Sequence, residues 1–348
     1  MMLRVAYIVP SLAPLGPVIV VRNLVERMVA HGHECVVFYF DERENPMRFA
    51  CETRRISFWK REDFSNFDWV HAHSFRPMVY ASRLKGVRKM VTMHSYLFKE
   101  YRYSLGRVAG YLLGHYTMAV ARKFDKVAVL SNDAKAYYSR WIPNDKLYVC
   151  YNGVDIEQHV SLDLQQQYEE DAQQIGLFKK TGTLVACVCE MVPIKNVSLV
   201  INALSRLPEC YKLLLIGSGK GMHALMQQAK DMQVDDRVLF MGERLEAHRY
   251  QQLVDIFVMA SNSEGFCLAL VEAAFYGKKI VCADIPGMKE KFTNQEVTYF
   301  HPKDMEELVK AILTANEHQE KGCKAKAVAE ERFSTERMYE QYEAVYRL

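Results

Sequence analysis

Long hydrophobic runs are missing from this chain of 348 residues, and no stretch approaches the roughly 20 apolar residues that span a membrane. The segment from Met1 to Pro10 has the pattern of one short strand, not of a signal peptide. No two of the nine cysteines form a Cys-x-x-Cys pair, so we interpret them as reduced core thiols. They stand mostly in apolar runs, as at Cys35, Cys187, Cys189 and Cys282. These absences exclude a membrane-spanning or disulfide-stabilised protein and predict a cytoplasmic one.

Half of the residues are hydrophobic and a quarter are charged, which is typical of a globular protein with ample core. Short β-branched runs alternate with helical patterns, and this alternation predicts α/β domains with parallel sheets. The predicted strands lie near residues 3–9, 34–40, 68–72, 89–93, 126–130, 147–150, 183–189, 211–216, 237–241, 255–259 and 279–283.

The polar stretch from Asp163 to Lys180 contains no strand pattern and indicates the start of a second unit. We therefore expect one domain of residues 1–160 with 335–348 and a second of residues 161–334. The closing segment after Ser334 begins with a capping-box pattern and has helical spacing to the end of the chain. Its apolar side needs a surface on which to pack.

Charge is unevenly distributed along the chain, whose formal net charge is +3. Residues 1–160 carry 23 Lys and Arg against 15 Asp and Glu, whereas residues 161–348 carry 22 against 27. Basic and aromatic residues gather between Arg83 and Lys123, a pattern that suits association with anionic lipid or a phosphorylated acceptor. A solvated helix face explains the same pattern. No nucleic-acid-binding motif accompanies the charge, so nucleic acid is not an expected partner.

Two carboxylates eight residues apart, Glu264 and Glu272, enclose a nearly apolar helical run. A glutamate among apolar residues needs a polar partner, and a sugar or ribose hydroxyl is a natural one. Gly265 permits close approach of a phosphate to the free amides of the first helical turn. The segment therefore suits a bound nucleotide-sugar, although a capped helix with one satisfied glutamate has the same spacing.

The first domain offers a second set of candidates. Gly16 and Pro17 begin a predicted helix after the first strand, which leaves helix amides open to a ligand. Three histidines, His71, His73 and His94, fall at the carboxyl ends of two predicted strands. Ligands of open parallel sheets bind at that edge, so these histidines are candidate ligand contacts or buried structural residues.

Several motifs occur in a fixed order along the chain: Ser131-Asn132-Asp133, Asn152-Gly153-Val154-Asp155, Lys195-Asn196, the glycines from Gly217 to Gly221, and the segment from Glu264 to Glu272. In this order the chain closely resembles the retaining glycosyltransferases of family 4, which have the GT-B fold. The resemblance covers nearly the entire chain. It implies two facing Rossmann-like domains with parallel sheets, an acceptor bound by the first, a nucleotide-sugar bound by the second, and a last helix that crosses back to the first.

The resemblance also assigns roles to residues. It implies that Glu264 contacts donor-sugar hydroxyls, that Lys195 neutralises the diphosphate, and that His94 contacts the donor sugar. Glu272 would hold the ribose. The remaining implied donor-binding residues are Gly16, Leu245, Gly265, Phe266, Cys267 and Leu268.

Two positions depart from the family pattern. Glu190 occupies a place where family members usually carry arginine, and a carboxylate there would repel a diphosphate by on the order of 4 kcal/mol at about 4 Å. Either Glu190 turns away from the diphosphate, for example toward Lys195 or Arg244, or donor binding is weakened. The usual double glycine of the first loop is reduced to Leu15-Gly16.

The function expected from this reading is retaining transfer of a sugar from a nucleotide-sugar, with a UDP-sugar favoured, to a glycan or lipid-linked acceptor. Bacterial surface polysaccharide or glycolipid assembly at the inner face of the plasma membrane is the expected setting. Asp-x-Asp occurs nowhere, so we expect no metal ion and no cofactor.

Two alternatives remain open. The glycines from Gly217 to Gly221 suggest an NAD(P)-dependent oxidoreductase, although Met222 stands where a third fingerprint glycine belongs. The carboxylate of Glu190 suggests a glycosyltransferase-like subunit that binds a partner or lipid without catalysis.

Overall fold

The computed structural model describes residues 2–44, 46–156 and 162–348. The chain forms two compact units, one of Met1–Asp155 with Phe333–Leu348 and one of Ile156–Arg332. The predicted boundary at residues 160 and 161 lies outside the described residues. The second boundary falls two residues before the expected one at 334 and 335.

Parallel strands and covering helices alternate through both units. The strands are β1 (Arg4–Ser11), β2 (Glu34–Asp41), β3 (Glu52–Arg55), β4 (Trp69–His73), β5 (Arg88–Met93), β6 (Lys126–Val129), β7 (Leu147–Val149), β8 (Thr183–Val188), β9 (Tyr211–Ile216), β10 (Val238–Gly242), β11 (Ile256–Met259), β12 (Lys279–Ala283) and β13 (Thr298–Phe300). The helices are α1 (Gly16–Ala30), α2 (Phe75–Ala81), α3 (Leu97–Leu105), α4 (Arg107–Ala121), α5 (Asn132–Tyr138), α6 (Leu162–Lys179), α7 (Val197–Leu204), α8 (Met222–Asp231), α9 (Leu268–Phe275), α10 (Met305–Glu317), α11 (Gln319–Arg332) and α12 (Thr335–Arg347).

The first unit contains a seven-stranded sheet in the order β3-β2-β1-β4-β5-β6-β7, and its strands pair in parallel. β1 and β4 are central and nearly or wholly buried, as expected for strands covered by helices on both faces. The second unit contains a six-stranded parallel sheet in the order β10-β9-β8-β11-β12-β13. In such sheets the carboxyl ends of the strands share one edge, where ligands bind.

Helix α12 completes the first unit. Its apolar side is buried through Met338, Tyr342 and Tyr346, which supplies the packing surface that the spacing requires. Val154 forms a parallel bridge with Ser334, and a Cβ on Gly153 would stand 2.5 Å from the Ser334 carbonyl oxygen, so only glycine fits there. Ser334 Oγ accepts a hydrogen bond from the Arg337 amide at 3.2 Å. The predicted helix start at Ser334 is confirmed, but the capping box is only half formed, because the third helical residue is arginine, which has no acceptor for the Ser334 amide.

Candidate active site

The second unit brings Lys195 and Glu264 together at the carboxyl edge of its sheet. Lys195 ends a short 3-10 turn after β8, and Glu264 lies in the loop between β11 and α9. Lys195 Nζ donates to Glu264 Oε1 at 2.7 Å, and Ser261 Oγ donates to the same oxygen at 2.6 Å. The amide of Asn262 donates to the Ile194 carbonyl at 2.8 Å, which ties the two loops to each other. The pair is therefore held by both side chains and backbone.

The electrostatics of this pair favour a permanently charged lysine. Burial lowers the pKa of the Lys195 ammonium, but the charge and hydrogen bond of Glu264, together with Cys267 and Cys189, outweigh burial, so the pKa ends above its usual value. The Glu264 side chain is 9% exposed and that of Lys195 is 24% exposed, so the ammonium is the more accessible partner. A partly exposed ammonium beside a fixed carboxylate can contact an anion without losing its partner.

The segment after Glu264 leads directly into α9. Phe266 is buried, and Cys267 adopts a left-handed conformation with φ of 66° at the position that precedes the helix. No described side chain caps α9, so amides of its first turn are left for other acceptors. A non-glycine residue with positive φ carries strain, and such strain is concentrated at binding sites.

Glu272 has a partner within the protein. Gln251 Nε2 donates to Glu272 Oε2 at 3.4 Å and to the Ala269 carbonyl at 3.0 Å. Gln251 is fully buried, and among the described residues its Oε1 has no hydrogen-bond partner. The polar partner that the sequence requires for Glu272 is thus at least partly an amide of the chain itself, so ribose binding is not needed to explain the glutamate.

Glu190 pairs with neither of the cations expected for it. Lys195 is bound by Glu264, and Arg244 forms a salt bridge with Asp171 at 2.7 Å. Glu190 itself is exposed. Neither cation is therefore the partner toward which Glu190 turns, because Glu264 and Asp171 occupy them.

The loop that resembles a base-binding segment follows β10. Leu245 is half-buried there, while Ser218 Oγ donates to Glu243 Oε2 at 3.2 Å. This bond joins the loop after β10 to the glycine-rich loop after β9. Leu245 therefore lies on the same strand-end side of the sheet as Lys195.

The glycines after β9 are required by backbone packing. Cβ atoms on Gly217 and Gly219 would stand 2.0 Å from the Cys189 carbonyl oxygen and 2.6 Å from the Met191 carbonyl oxygen. Both residues also have positive φ. The glycine pattern that suggested a dinucleotide fingerprint is thus explained by close contact with the loop after β8.

Lys291 is a residue of this region that the sequence does not indicate, as are Ser261 and Gln251. Lys291 is fully buried, its Nζ donates to the Gly287 carbonyl at 2.7 Å, and it lies 5.1 Å from the centroid of the Phe266 ring. Burial lowers its pKa to about 8. Its neighbours in sequence, Lys289 and Glu290, suggest a solvated charged turn, so only the tertiary structure reveals it.

In the first unit the three histidines converge at β4 and β5. His71 is enclosed: its Nδ1 lies 2.6 Å from Tyr346 Oη and its Nε2 lies 2.8 Å from Thr92 Oγ1. His73 Nδ1 lies 2.8 Å from His94 Nε2. Burial lowers the pKa of all three, that of His94 to about 3. His71 is therefore a structural residue that joins α12 to the sheet, whereas His94 is half-buried and so less enclosed than His71 and His73.

Gly16 is exposed and forms the first residue of α1, where no described side chain caps the helix. Within residues 2–44, 46–156 and 162–348, no group of three His, Cys, Asp or Glu side chains is arranged to hold a metal ion. None of the helices in those ranges combines the length and hydrophobicity that crossing a bilayer requires. The nine cysteines are free, but Cys210 and Cys323 are exposed, so the prediction of core thiols is wrong for these two.

The fold agrees with comparisons to known families. The family model described as Glycosyltransferase Family 4 matches residues 16–158, and the model described as Glycosyl transferases group 1 matches residues 168–332. The chain belongs to glycosyltransferase family 4. This family 4 chain has the GT-B fold, with a parallel-sheet, Rossmann-like domain in each unit.

Two relatives of this family 4 chain are named as glycosyltransferases of Escherichia coli. It is 28% identical over 356 residues to the O-antigen biosynthesis glycosyltransferase WclY of Escherichia coli, a match that covers 99% of this chain and 98% of the relative. It is 27% identical over 245 residues to the Escherichia coli UDP-Gal:alpha-D-GlcNAc-diphosphoundecaprenol alpha-1,3-galactosyltransferase, which covers 67% of this chain and 62% of that protein.

Solved structures match almost the whole chain. Alr3699/HepE of Anabaena in complex with UDP and glucose matches with a TM-score of 0.83 at 18% identity and covers 99% of this chain and 100% of that one. WaaG, a glycosyltransferase involved in lipopolysaccharide biosynthesis, matches with a TM-score of 0.73 at 15% identity over 98% of both chains. At these identities the matches establish the shared fold.

Proposed function

We propose that this family 4 glycosyltransferase moves a sugar from a nucleoside diphosphate sugar to an acceptor hydroxyl with retention of the anomeric configuration. The observation that carries the proposal is the hydrogen-bonded group of Lys195, Glu264 and Ser261, which lies just before the uncapped first turn of α9. An ammonium and free amides suit a diphosphate, and a carboxylate suits sugar hydroxyls.

Lys195 is proposed to stabilise the leaving group. When the bond between the anomeric carbon and the phosphate oxygen breaks, its electron pair stays on the oxygen, and the nucleoside diphosphate gains negative charge. The ammonium of Lys195 is charged beforehand and is held by Glu264 at 2.7 Å, so little reorganisation is needed at that moment.

The donor's other groups are assigned to neighbouring residues. Glu264 would accept hydrogen bonds from sugar hydroxyls through its second oxygen, since Oε1 is taken by Lys195 and Ser261. Glu272, oriented by Gln251, would hold the ribose, and Leu245 would contact the base. Backbone amides for the phosphates would come from the segment of Gly265, Phe266, Cys267 and Leu268. Gly16, at the uncapped start of α1, is a proposed donor-binding residue of the first unit.

The acceptor hydroxyl would attack from the face that the diphosphate leaves. The new bond joins the acceptor oxygen to the anomeric carbon, and the proton of the hydroxyl passes to the departing phosphate oxygen. This scheme uses no side-chain nucleophile. We also propose that it needs no bound metal ion, because Lys195 supplies the positive charge.

We propose a UDP-sugar as donor and a lipid-linked or glycan acceptor in bacterial surface polysaccharide assembly. Three comparisons support this choice: a relative is named for O-antigen biosynthesis, another for transfer from UDP-Gal to a diphosphoundecaprenol-linked sugar, and a structure of the same fold contains UDP. Such an acceptor lies at the inner face of the plasma membrane, so we propose a cytoplasmic enzyme that binds this face.

A surface of the first unit supports membrane binding. We call it the α3–α4 surface; its exposed apolar residues are Tyr103, Leu105, Val108, Tyr111, Leu112 and Tyr116, and its cations are Lys99, Arg102 and Arg107. Exposed apolar residues beside cations suit the interface of an anionic membrane. Other cations of the predicted basic cluster are engaged within the unit: Arg88 stacks on Trp69 at 4.4 Å and Arg83 on Phe58 at 4.7 Å.

Thermal unfolding in the presence of UDP-, GDP-, ADP- and CMP-sugars tests the donor. A ligand at 100 times its dissociation constant adds about 2.7 kcal/mol of stability, and we expect this gain with a UDP-sugar. The gain should be lost in Lys195→Met and kept in Lys324→Met, which changes an exposed lysine of α11. Stabilisation by NAD(P) without any response to nucleotide-sugars would instead support the oxidoreductase.

A further inference from the structure

The side chains of His73 and His94 form a hydrogen-bonded pair. The two ring nitrogens outside that hydrogen bond, His73 Nε2 and His94 Nδ1, lie in different surroundings. The His73 Nδ1 and His94 Nε2 atoms are 2.8 Å apart, so one of them donates a hydrogen to the other. His73 is fully buried, and within the described ranges its Nε2 has no hydrogen-bond partner. His94 is half-buried, and no residue that the structure describes bonds to its Nδ1. One end of the pair is therefore closed and the other end is open.

Only two proton arrangements fit this geometry. Both rings are neutral near pH 7, because burial lowers the pKa of each imidazole. In the first arrangement His73 Nδ1–H donates to His94 Nε2, and His94 carries its own hydrogen at Nδ1. In the second, His94 Nε2–H donates to His73 Nδ1, and the hydrogen of His73 sits on its buried Nε2.

The surroundings of His73 select the first arrangement. The second would bury an N–H donor with no acceptor within the described residues, and orphaned buried N–H groups are rare and costly. The first leaves only an unfilled lone pair at the same atom. It also places the remaining N–H of the pair on His94 Nδ1, which belongs to a half-buried side chain after the end of β5.

We propose that His73 is a positioning residue that fixes His94 in its Nδ1–H tautomer, so that His94 donates a hydrogen bond to an oxygen atom of the substrate. The hydrogen bond from His73 occupies Nε2, which leaves His94 without a free lone pair. His94 thus acts as a donor and does not take the acceptor's proton. The inference rests on the proposed function for the identity of the ligand, a sugar or phosphate oxygen.

Nitrogen chemical shifts of the ¹⁵N-histidine-labelled protein test the tautomer without any substrate. We expect His94, assigned by its loss in His94→Gln, to be protonated at Nδ1 and unprotonated at Nε2. His73→Asn places an amide N–H where Nδ1–H was and should preserve this pattern, whereas His73→Phe should shift His94 toward Nε2–H. A His94 protonated at Nε2 in the unsubstituted protein would overturn the inference.

Transfer kinetics supply the second readout. We expect His73→Phe to lower kcat by about 10- to 100-fold, the range that applies when a metal-ligating histidine loses the hydrogen-bond partner that fixes its tautomer, and His73→Asn to restore most of it. Equal kcat in both variants would contradict the role of His73 even if the tautomer is as expected. If the unsubstituted protein transfers no sugar, the proposed function fails while the nitrogen shifts still decide the tautomer. If His73→Phe does not fold, the nitrogen shifts of His94 in His73→Asn and in the unsubstituted protein test the inference, which requires Nδ1–H in both.

Discussion

Lys291 is a lysine whose burial disfavours the charged form of its side chain. It is fully buried, with the Gly287 carbonyl and the Phe266 ring as its neighbours at Nζ. Burial lowers its pKa to about 8, although Glu290 and Glu264 act in the opposite direction. Because it lies against Phe266, this ammonium supports the segment that leads into α9.

The lowered pKa of Lys291 predicts a pH dependence of stability. Between pH 8 and the usual lysine value of about 10.4, the unfolded chain binds more protons at this residue than the folded chain, so its free energy of unfolding rises with pH. Below pH 8 Lys291 is protonated in both the folded and the unfolded chain, so the free-energy cost of burying its charge remains. Chemical denaturation from pH 7 to 10 should show stability gained relative to Lys291→Met, by on the order of 3 kcal/mol at full titration. A difference that stays flat would contradict this account.

Some site residues can be predicted from the sequence and others cannot. Glu264 and Lys195 are indicated because a carboxylate and a lysine lie at strand ends in a recognisable order. Ser261, Gln251 and Lys291 carry no such signal, since their partners are set by loops that meet only in the folded unit. For Glu190 the sequence suggests Lys195 and Arg244 as partners, but the structure shows that Glu264 and Asp171 bind these two cations.

At the scale of elements, α3 and α4 form a tightly packed pair. A Cβ on Gly110 would stand 2.7 Å from the Tyr101 backbone, and one on Gly114 would stand 2.4 Å from the Phe98 ring. The inner sides of the two helices therefore fit together through glycine. Their outer side remains apolar, with Val108 76% exposed and Leu112 64% exposed.

The α3–α4 surface predicts binding to anionic vesicles. Replacing Lys99, Arg102 and Arg107 with glutamine should weaken sedimentation with phosphatidylglycerol vesicles by on the order of 100-fold, at about 1 kcal/mol per charge. The double substitution Val108→Asp and Leu112→Asp should also weaken vesicle binding, because it removes apolar contact with the membrane.

A matched control for these variants removes equal charge elsewhere. Replacing Lys230, Lys310 and Lys324, which are exposed lysines of the second unit, with glutamine should leave vesicle binding nearly unchanged. Equal losses in both sets would indicate a response to net charge alone. No loss in either set would contradict a role for the α3–α4 surface.

The predicted strands agree with those observed to within two residues at most ends, because buried β-branched runs are distinctive. β3 was not predicted, since all four of its residues are exposed and three are charged. β13, at the other sheet's edge, is only three residues long. Edge strands are defined by their pairing with a neighbour, and a single sequence does not show that pairing.

At the scale of the whole molecule, the fold class followed from the alternation of strands and helices together with the family resemblance. Each unit has its own parallel sheet, and in each unit the candidate residues gather where strands end: Lys195 and Glu264 in one, His73 and His94 in the other. The assignment of α12 to the first unit rests on Tyr346 and Tyr342, which reach His71 and Thr92. The helical periodicity of the closing segment predicts α12, but it does not show with which unit the helix packs.

Transfer of a labelled sugar by the purified protein tests the central claim most directly. The account predicts that the protein releases UDP from a UDP-sugar and forms a product whose anomeric configuration, read from its NMR coupling constant, matches that of the donor. Lys195→Ala should lower kcat by about 10²- to 10³-fold, as expected when one group that stabilises developing charge is removed. Full activity in Lys195→Ala, or a product with inverted configuration, would contradict it.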